Sequence, residues 1–201
     1  MRFRVEWAWM LLAIAAVSQG PRVAGAQAAE ASTDAARPEL AVGYSYVRSN
    51  APPGGCTCFN QNGGSAAFAW PLGNGQFALV GDVTATTASG IAAGSYSLTM
   101  STYTAGMRYV PKFEHSVLKP FGQVLVGIGH SSGSLVSGKG TSVENSDVAF
   151  ASIMGGGVDW RLNGHWSIRL AEADYLLTTF DNGGNNHQNN LRINTGVVVR
   201  F

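Results

Sequence analysis

The chain has 201 residues, enough for one ordinary domain with tails. Its 13 Lys+Arg against 12 Asp+Glu leave a formal net charge of +1, and charged residues make up 12%, about half the usual ~25%. That balance excludes a basic nucleic-acid binder and an acidic disordered chain, and two cysteines exclude a disulfide scaffold.

The N-terminus reads as an export signal. Arg2 and Arg4 precede an apolar run over residues 8–17, and Ala24-Gly25-Ala26 is a small-x-small cleavage site. The run is too short for a membrane-spanning helix, which takes ~20 apolar residues. Residues 1–26 are therefore expected to be a signal peptide, and no cysteine near the cut suggests a lipid anchor. Cleavage would remove Arg2, Arg4, Arg22 and Glu6, turning the net charge slightly negative. Residues 27–38 are small, polar and without periodicity, a flexible lead-in to a folded domain over 39–201.

From Leu40 onward the repeat is a period of two, the mark of strands with unlike faces. Leu40, Val42, Tyr44 and Tyr46 oppose Ala41, Gly43, Ser45 and Val47. Residues 65–70 put Ala66, Phe68 and Trp70 on one face, and residues 76–85 set Phe77, Leu79 and Val83 against Ala78, Val80, Asp82 and Thr84. The long stretch 96–109 slips phase between Met100 and Tyr103, which predicts a bulge there. Residues 121–130 carry two phases, one through Val124, Val126 and Ile128, the other through Phe121 and Leu125. Residues 148–161 set Val148, Phe150, Met154, Val158 and Trp160 against Ala149, Ala151, Gly155, Gly157, Asp159 and Arg161. In 167–180, Arg169 and Glu172 are three apart, so both can face inward only across a bulge. The last strand alternates Leu191, Ile193, Thr195, Val197, Val199 and Phe201 with Arg192, Asn194, Gly196, Val198 and Arg200.

These stretches match the ~9–11 residues of a tilted membrane-spanning strand. The connections 48–64, 86–95, 131–147 and 181–190 are long and rich in Gly, Ser and Asn, whereas 71–75 and 162–165 are short, with 110–119 a longer exception. Long loops on one side and short turns on the other are the pattern of outer-membrane barrels, with both termini periplasmic. The alternative is a secreted soluble ligand-binding barrel, which would need its bulky apolar side chains inside. Here the charges share the small face, while the bulky face is free of them. Aromatics also gather at strand ends (Tyr46, Trp70, Phe77, Tyr109, Phe121, Trp160, Trp166, Phe180, Phe201), as interfacial girdles do.

With its signal peptide, eight strands, the run GGGVDW at 155–160 and the closing NLRINTGVVVRF, the chain resembles the small outer-membrane β-barrel family related to the membrane domain of outer-membrane protein A. The resemblance implies an all-β, eight-stranded antiparallel up-and-down transmembrane barrel. It further implies contact with outer-membrane lipid, escort by periplasmic chaperones, and recognition of the strand ending in Phe201 by the barrel-assembly machinery. A peptidoglycan-binding domain does not follow the barrel, so a cell-wall tether is not expected.

The inward charges Asp82, Asp159, Arg161, Arg169, Glu172, Asp174, Arg192 and Arg200 are expected to form a paired polar interior. An eight-stranded barrel is just wide enough to be filled by side chains. A narrow ion path is the functional alternative. Cys56-Thr57-Cys58 would be exported to an oxidising setting, and a local loop disulfide is the expectation. His130 and Ser132 point to one face of a strand, so the imidazole could activate the hydroxyl, with Glu144 downstream to orient it. That spacing resembles the outer-membrane lipid A deacylases, although Gly-Ser-Leu follows Ser132 where those enzymes have Asn-Ala-Gly. The reading overall is a non-catalytic barrel with a structural, surface-interaction or small-pore role, no cofactor, and a surface ligand that the sequence does not name.

Overall fold

The computed structural model describes residues 37–49, 58–91, 96–113, 116–133, 145–181 and 186–201; the signal peptide expected at 1–26 lies outside them. Eight strands follow in order: β1 (Glu39–Ser49), β2 (Phe59–Leu72), β3 (Phe77–Ile91), β4 (Tyr96–Tyr109), β5 (Leu118–Gly133), β6 (Asn145–Arg161), β7 (Trp166–Thr178) and β8 (Gln188–Arg200). Each pairs antiparallel with its neighbour in sequence, and β8 pairs with β1, so the sheet closes into a barrel. Closure leaves no free edge, which lets a sheet sit in lipid with its backbone polar groups satisfied.

The paired residues climb as they go round. The path from Glu39 through Ala69, Val80, Gly106, Leu125, Ile153, Leu176 and Asn190 returns to β1 beside Arg48. That stagger of about ten residues tilts the strands by roughly 35–45° and leaves an interior that side chains fill.

The two phases read in 121–130 are both real. Val124, Val126 and Ile128 face outward, while Phe121 and Leu125 are buried inside. The bulge expected between Arg169 and Glu172 is present: the register shifts there, Leu170 and Ala171 both lie outward, and Arg169 and Glu172 both point in. The bulge expected between Met100 and Tyr103 is absent. Register runs unbroken through this stretch, with Met100 buried and Tyr103 exposed, and the shift falls instead in β3 at Ser89/Ile91. An inward methionine in the apolar core had broken the polar pattern without breaking the strand.

Strands also run further than the alternation indicated. β2 starts at Phe59, β5 spans Leu118–Gly133 and β6 starts at Asn145, taking in residues expected to be loop. At the loop end those extensions are mostly Asn, Gln, Gly and Ser, whose polarity on both faces hides the period. At the other end the connections are tight. Between β2 and β3, Gly73 (φ 52°) and Gly75 (φ 81°) take left-handed backbone, and Gly75 N–H donates to Leu72 O at 2.9 Å. Between β6 and β7, Asn163 Oδ1 accepts from the N–H groups of His165 and Trp166 at 2.8 and 2.9 Å.

The exterior is the bulky apolar face. Trp70, Leu79, Val124, Met154 and Val197 are among the side chains about half exposed, an inside-out arrangement for a water-soluble barrel. Trp70, Phe77, Tyr109, Trp160 and Trp166 ring the short-turn end, and Tyr44, Tyr103 and Tyr175 stand toward the loop end. Two of the upper tyrosines and their neighbour Tyr46 donate to asparagines one step further out: Tyr44 to Asn62, Tyr46 to Asn60 at 2.8 Å, and Tyr175 to Asn189. Ring body in hydrocarbon and hydroxyl in the polar zone is the interfacial preference of tyrosine. Phe121 and Phe180, expected in the girdles, both turn inward instead: Phe121 is buried, and Phe180 packs on the core beside Gly129.

Placing a charge on this exterior tests the assignment of faces. Val124→Arg, between the two belts, is expected to lower unfolding free energy in lipid by ~2–4 kcal/mol, and Thr99→Arg, near the loop end, by ~0–1 kcal/mol. Denaturant titration of the bilayer-inserted protein would measure both.

Candidate functional site: the charged interior

Deep inside the barrel the charges form one connected array, with a separate ion pair at the mouth. Arg192, on β8, is completely buried. Its Nη1 donates to Asp82 Oδ1 at 2.7 Å and to Thr84 Oγ1 at 2.8 Å, both on β3. Its Nη2 reaches Asp174 Oδ2 at 2.8 Å and Glu172 Oε1 at 3.1 Å, both on β7. One guanidinium thus ties three carboxylates across the lumen. A planar donor fork is suited to this; a lysine has one point of charge.

Arg169 is the second node. Its Nε lies 2.9 Å from Asp159 Oδ1, and its Nη1 lies 2.6 Å from Glu172 Oε2. Glu172 therefore links the two arginines, and the β7 bulge puts it within reach of both. Remaining valences are filled by amides. Gln123 Nε2 donates to Glu172 Oε1 at 3.2 Å, and Asn194 Nδ2 to the same oxygen at 2.7 Å.

A third cation, Arg108, is buried on β4 and donates from Nη2 to Gln123 Oε1 at 2.8 Å. The guanidinium carbons of Arg108 and Arg169 both lie over the ring of Phe121, 4.3 and 4.6 Å from its centroid, and the ring attracts each cation. At the terminal mouth, Arg200 Nε meets Glu39 Oε1 at 2.6 Å, and its Nη1 donates to Ser167 Oγ at 2.8 Å.

Seven of the residues expected in the polar interior (Asp82, Asp159, Arg169, Glu172, Asp174, Arg192 and Arg200) meet in these contacts. Arg161, the eighth, stands half-exposed at the mouth, opposite Ser167. Sequence reasoning did not include Arg108, Gln123 or Phe121, although all three occupy inward positions of their strands and Arg108 alternates in phase with Thr104. Above the charges the filling is neutral: Gln61 Nε2 donates to Ser49 Oγ at 2.8 Å and Thr86 Oγ1 to Gln61 Oε1 at 3.2 Å. Val47, Leu125, Ile153 and Leu176 pack around them. The interior is therefore part ion array and part aliphatic core, with less polar space than the alternation implied.

His130 and Ser132 do lie on the outward face of β5, both partly exposed, above Val124, Val126 and Ile128. Glu144 lies outside the described residues. Cys58 is exposed just before β2, and Cys56, its expected disulfide partner, lies outside the described residues. Phe201 is exposed, and its N–H donates to Pro38 O at 3.1 Å, continuing the β1–β8 seam.

A closed antiparallel barrel of eight strands, greasy outside and ion-paired inside, defines an integral outer-membrane protein. The family model for the outer membrane protein beta-barrel domain matches residues 11–201, and the chain belongs to that family. Among solved structures it is similar to Neisserial surface protein A (13% identity, TM-score 0.62, covering 82% of this chain and 97% of that one). It is also similar to Ail, the attachment invasion locus protein of Yersinia pestis (15% identity, TM-score 0.56, covering 83% and 99%). A second Ail structure, in complex with the heparin analogue sucrose octasulfate, matches at 18% identity and TM-score 0.57, covering 82% and 98%. At these identities the likeness is one of fold. No curated protein matches the chain.

Removing the central node should be costly. Arg192→Met leaves Asp82 and Asp174 buried without their cation and is expected to destabilise the barrel by ~3–5 kcal/mol. Urea unfolding followed by the heat-dependent gel shift would read the loss.

Proposed function

We propose that the protein is a non-conducting, non-catalytic surface barrel that presents its loop end to the outside of the cell. The observation that carries this reading is the filled interior: ion pairs at 2.6–3.1 Å cross the lumen, and the cavity found beside them is about 10 Å³, room for about one water. A pore would need these contacts to part.

The surface role is supported by what stands above the aromatic belt. Asn60, Asn62, Thr87, Thr99, Ser101 and Asn189 point outward there, with Arg48 among them, donating to Asn60 Oδ1 at 2.9 Å. The sequence of the long loops adds few charges, with Lys139 and Glu144 in 134–144. Such a surface recognises partners by hydrogen bonding and shape, not by net charge. A polyanion of the kind bound in the Ail complex is not favoured here.

Planar-bilayer recordings of the purified protein are expected to stay at baseline. On intact cells, after mild reduction, an impermeant maleimide is expected to label Cys58. A steady conductance step, or labelling that requires a ruptured outer membrane, would sink the proposal.

The second reading is a lipid A deacylase-like hydrolase. It is favoured by one observation, the shared outward face of His130 and Ser132 at the level where lipid headgroups would lie. Mass spectrometry of lipid A from cells carrying Ser132→Ala is expected to match wild type; a retained acyl chain in the variant would establish the enzyme.

A further inference from the structure

The outer wall changes character where β1 leaves the lipid. Arg48 is the last outward residue of β1, above Tyr44 and Tyr46, and it is exposed. Across the β1–β2 seam it faces Asn60, and its Nη1 donates to Asn60 Oδ1 at 2.9 Å. Across the β1–β8 seam it faces Leu191, so Asn189 stands one diagonal step away, within reach of a long side chain.

The asparagines of this zone are all turned the same way. Asn60 Oδ1 accepts from Tyr46 as well as from Arg48, Asn62 Oδ1 accepts from Tyr44, and Asn189 Oδ1 accepts from Tyr175. Each amide oxygen is thus occupied, and among the described residues no acceptor takes the Nδ2 groups. What is left facing the headgroup layer is a set of N–H donors: Nε and Nη2 of Arg48 and the amide nitrogens of Asn60 and Asn189. Neither described acid of the loop end reaches Arg48. Asp147 caps Val148 N–H at 2.8 Å on β6, three strands away, and Asp181 lies beyond β7. A guanidinium fork flanked by two amides, with no carboxylate to close it, is a receptor for an anion.

Below these donors the wall is bare. Gly64 and Ala66 on β2 and Ala85 and Gly81 on β3 point outward, between Tyr44 on β1 and Tyr103 on β4. A Cβ at Gly43 or Gly196 would strike the facing backbone, but these two outward glycines have no such reason. A Cβ on Gly64 would come no nearer than 3.4 Å to Gly43 O, and one on Gly81 would meet nothing within 4 Å. Glycine weakens a strand, and where its own backbone does not require it, it leaves room for something lying against the wall. The result is an apolar trough that begins one step below Asn62.

We propose that this wall binds one lipid A molecule of the outer leaflet, with a phosphate monoester on Arg48, Asn60 and Asn189 and one acyl chain in the trough over Gly64 and Ala66. A phosphate monoester offers three strong acceptor oxygens and nearly two negative charges, which matches several donors converging from three strands. The phosphodiester of a phospholipid offers two free oxygens and one charge. The site lies on the lipid-facing wall, apart from the loop-end surface proposed above, and rests on that reading only for placing the loop end outside.

Native mass spectrometry of the full folded barrel in detergent, titrated with purified lipid A, reads the fraction carrying one lipid. Lipid A is expected to bind roughly tenfold or more tightly than the same lipid stripped of its phosphates, the usual scale for hydrogen bonds to a charged group. It is also expected to bind more tightly than phosphatidylglycerol. Arg48→Gln is expected to abolish the preference for phosphate, and Arg48→Lys, which keeps the charge but not the fork, to restore part of it. Gly64→Leu is expected to weaken lipid A binding by filling the trough. All three variants lie outside the interior array, and a retained heat-dependent gel shift shows that they are folded. Equal binding of intact and stripped lipid A, or an unchanged preference in Arg48→Gln, would overturn the proposal. Phosphatidylglycerol binding as tightly as lipid A would overturn the choice of a monoester. Binding in detergent does not depend on orientation, so a failure here is distinct from a failure of the Cys58 labelling.

Discussion

The contact on which the rest of this structure depends is the grip of Arg192 on three carboxylates. A barrel embedded in lipid has no solvent on its outer face to screen what it carries within, so interior charges must find their partners inside the ring. Arg192 does this from β8 by reaching β3 on one side and β7 on the other. Those strands are not neighbours, so the guanidinium acts as a strut across the lumen. Glu172 passes the connection on to Arg169, and the ring of Phe121 lies under both Arg169 and Arg108. The bulge at Leu170 serves the same end. With regular alternation, Arg169 and Glu172 would face opposite sides of the wall, and one charge would be driven into hydrocarbon.

Backbone approach makes room for this filling. At Gly43 and Gly196, paired across the β1–β8 seam, an added Cβ would collide with the opposite strand's backbone, at Thr195 O and Val42 O respectively. Gly155, Gly156 and Gly157 do the same for β6 against β5 and β7. The high glycine content thus belongs to the coiling of the wall more than to its loops.

Most of the fold was legible in the sequence because membrane placement sharpens the period of two. Outward positions must be apolar along the whole span, so the alternation in β8 or β3 admits one reading of the faces. Even the β7 bulge was legible, since two charges three residues apart cannot both be exposed to lipid. The errors arise where an inward residue is itself apolar. Met100, Phe121 and Leu125 sit inside with the polar residues, and a pattern of polarity cannot assign them. Strand ends were short for the opposite reason: above the lipid both faces are polar, and the alternation fades into Asn, Ser and Thr. Arg108 was within reach of the same logic, for its phase is that of Thr104 and Ala78 is its cross-strand partner. Which partner each charge takes was not legible, because pairing across the lumen depends on stagger, and stagger follows from the register of every seam together.

Seven of the eight seams are hairpins between consecutive strands; the eighth joins the two ends of the barrel sequence. The Arg200–Glu39 pair spans 161 residues along the chain, and the Arg192–Asp82 bond spans 110. Contacts of such sequence separation carry the greatest loop-closure cost and form late. The interior array can therefore be completed only when β8 swings in against β1, carrying Arg192 with it. Glu172 and Asp174 meet Arg192 within the β7–β8 hairpin, so the last of the electrostatic reward, the bond to Asp82, comes at the closing step and is surrendered first on opening. That bond is thus a kinetic lock as much as a thermodynamic support: a half-closed sheet that leaves Asp82 without its cation is a poor resting place, and the chain is driven through it.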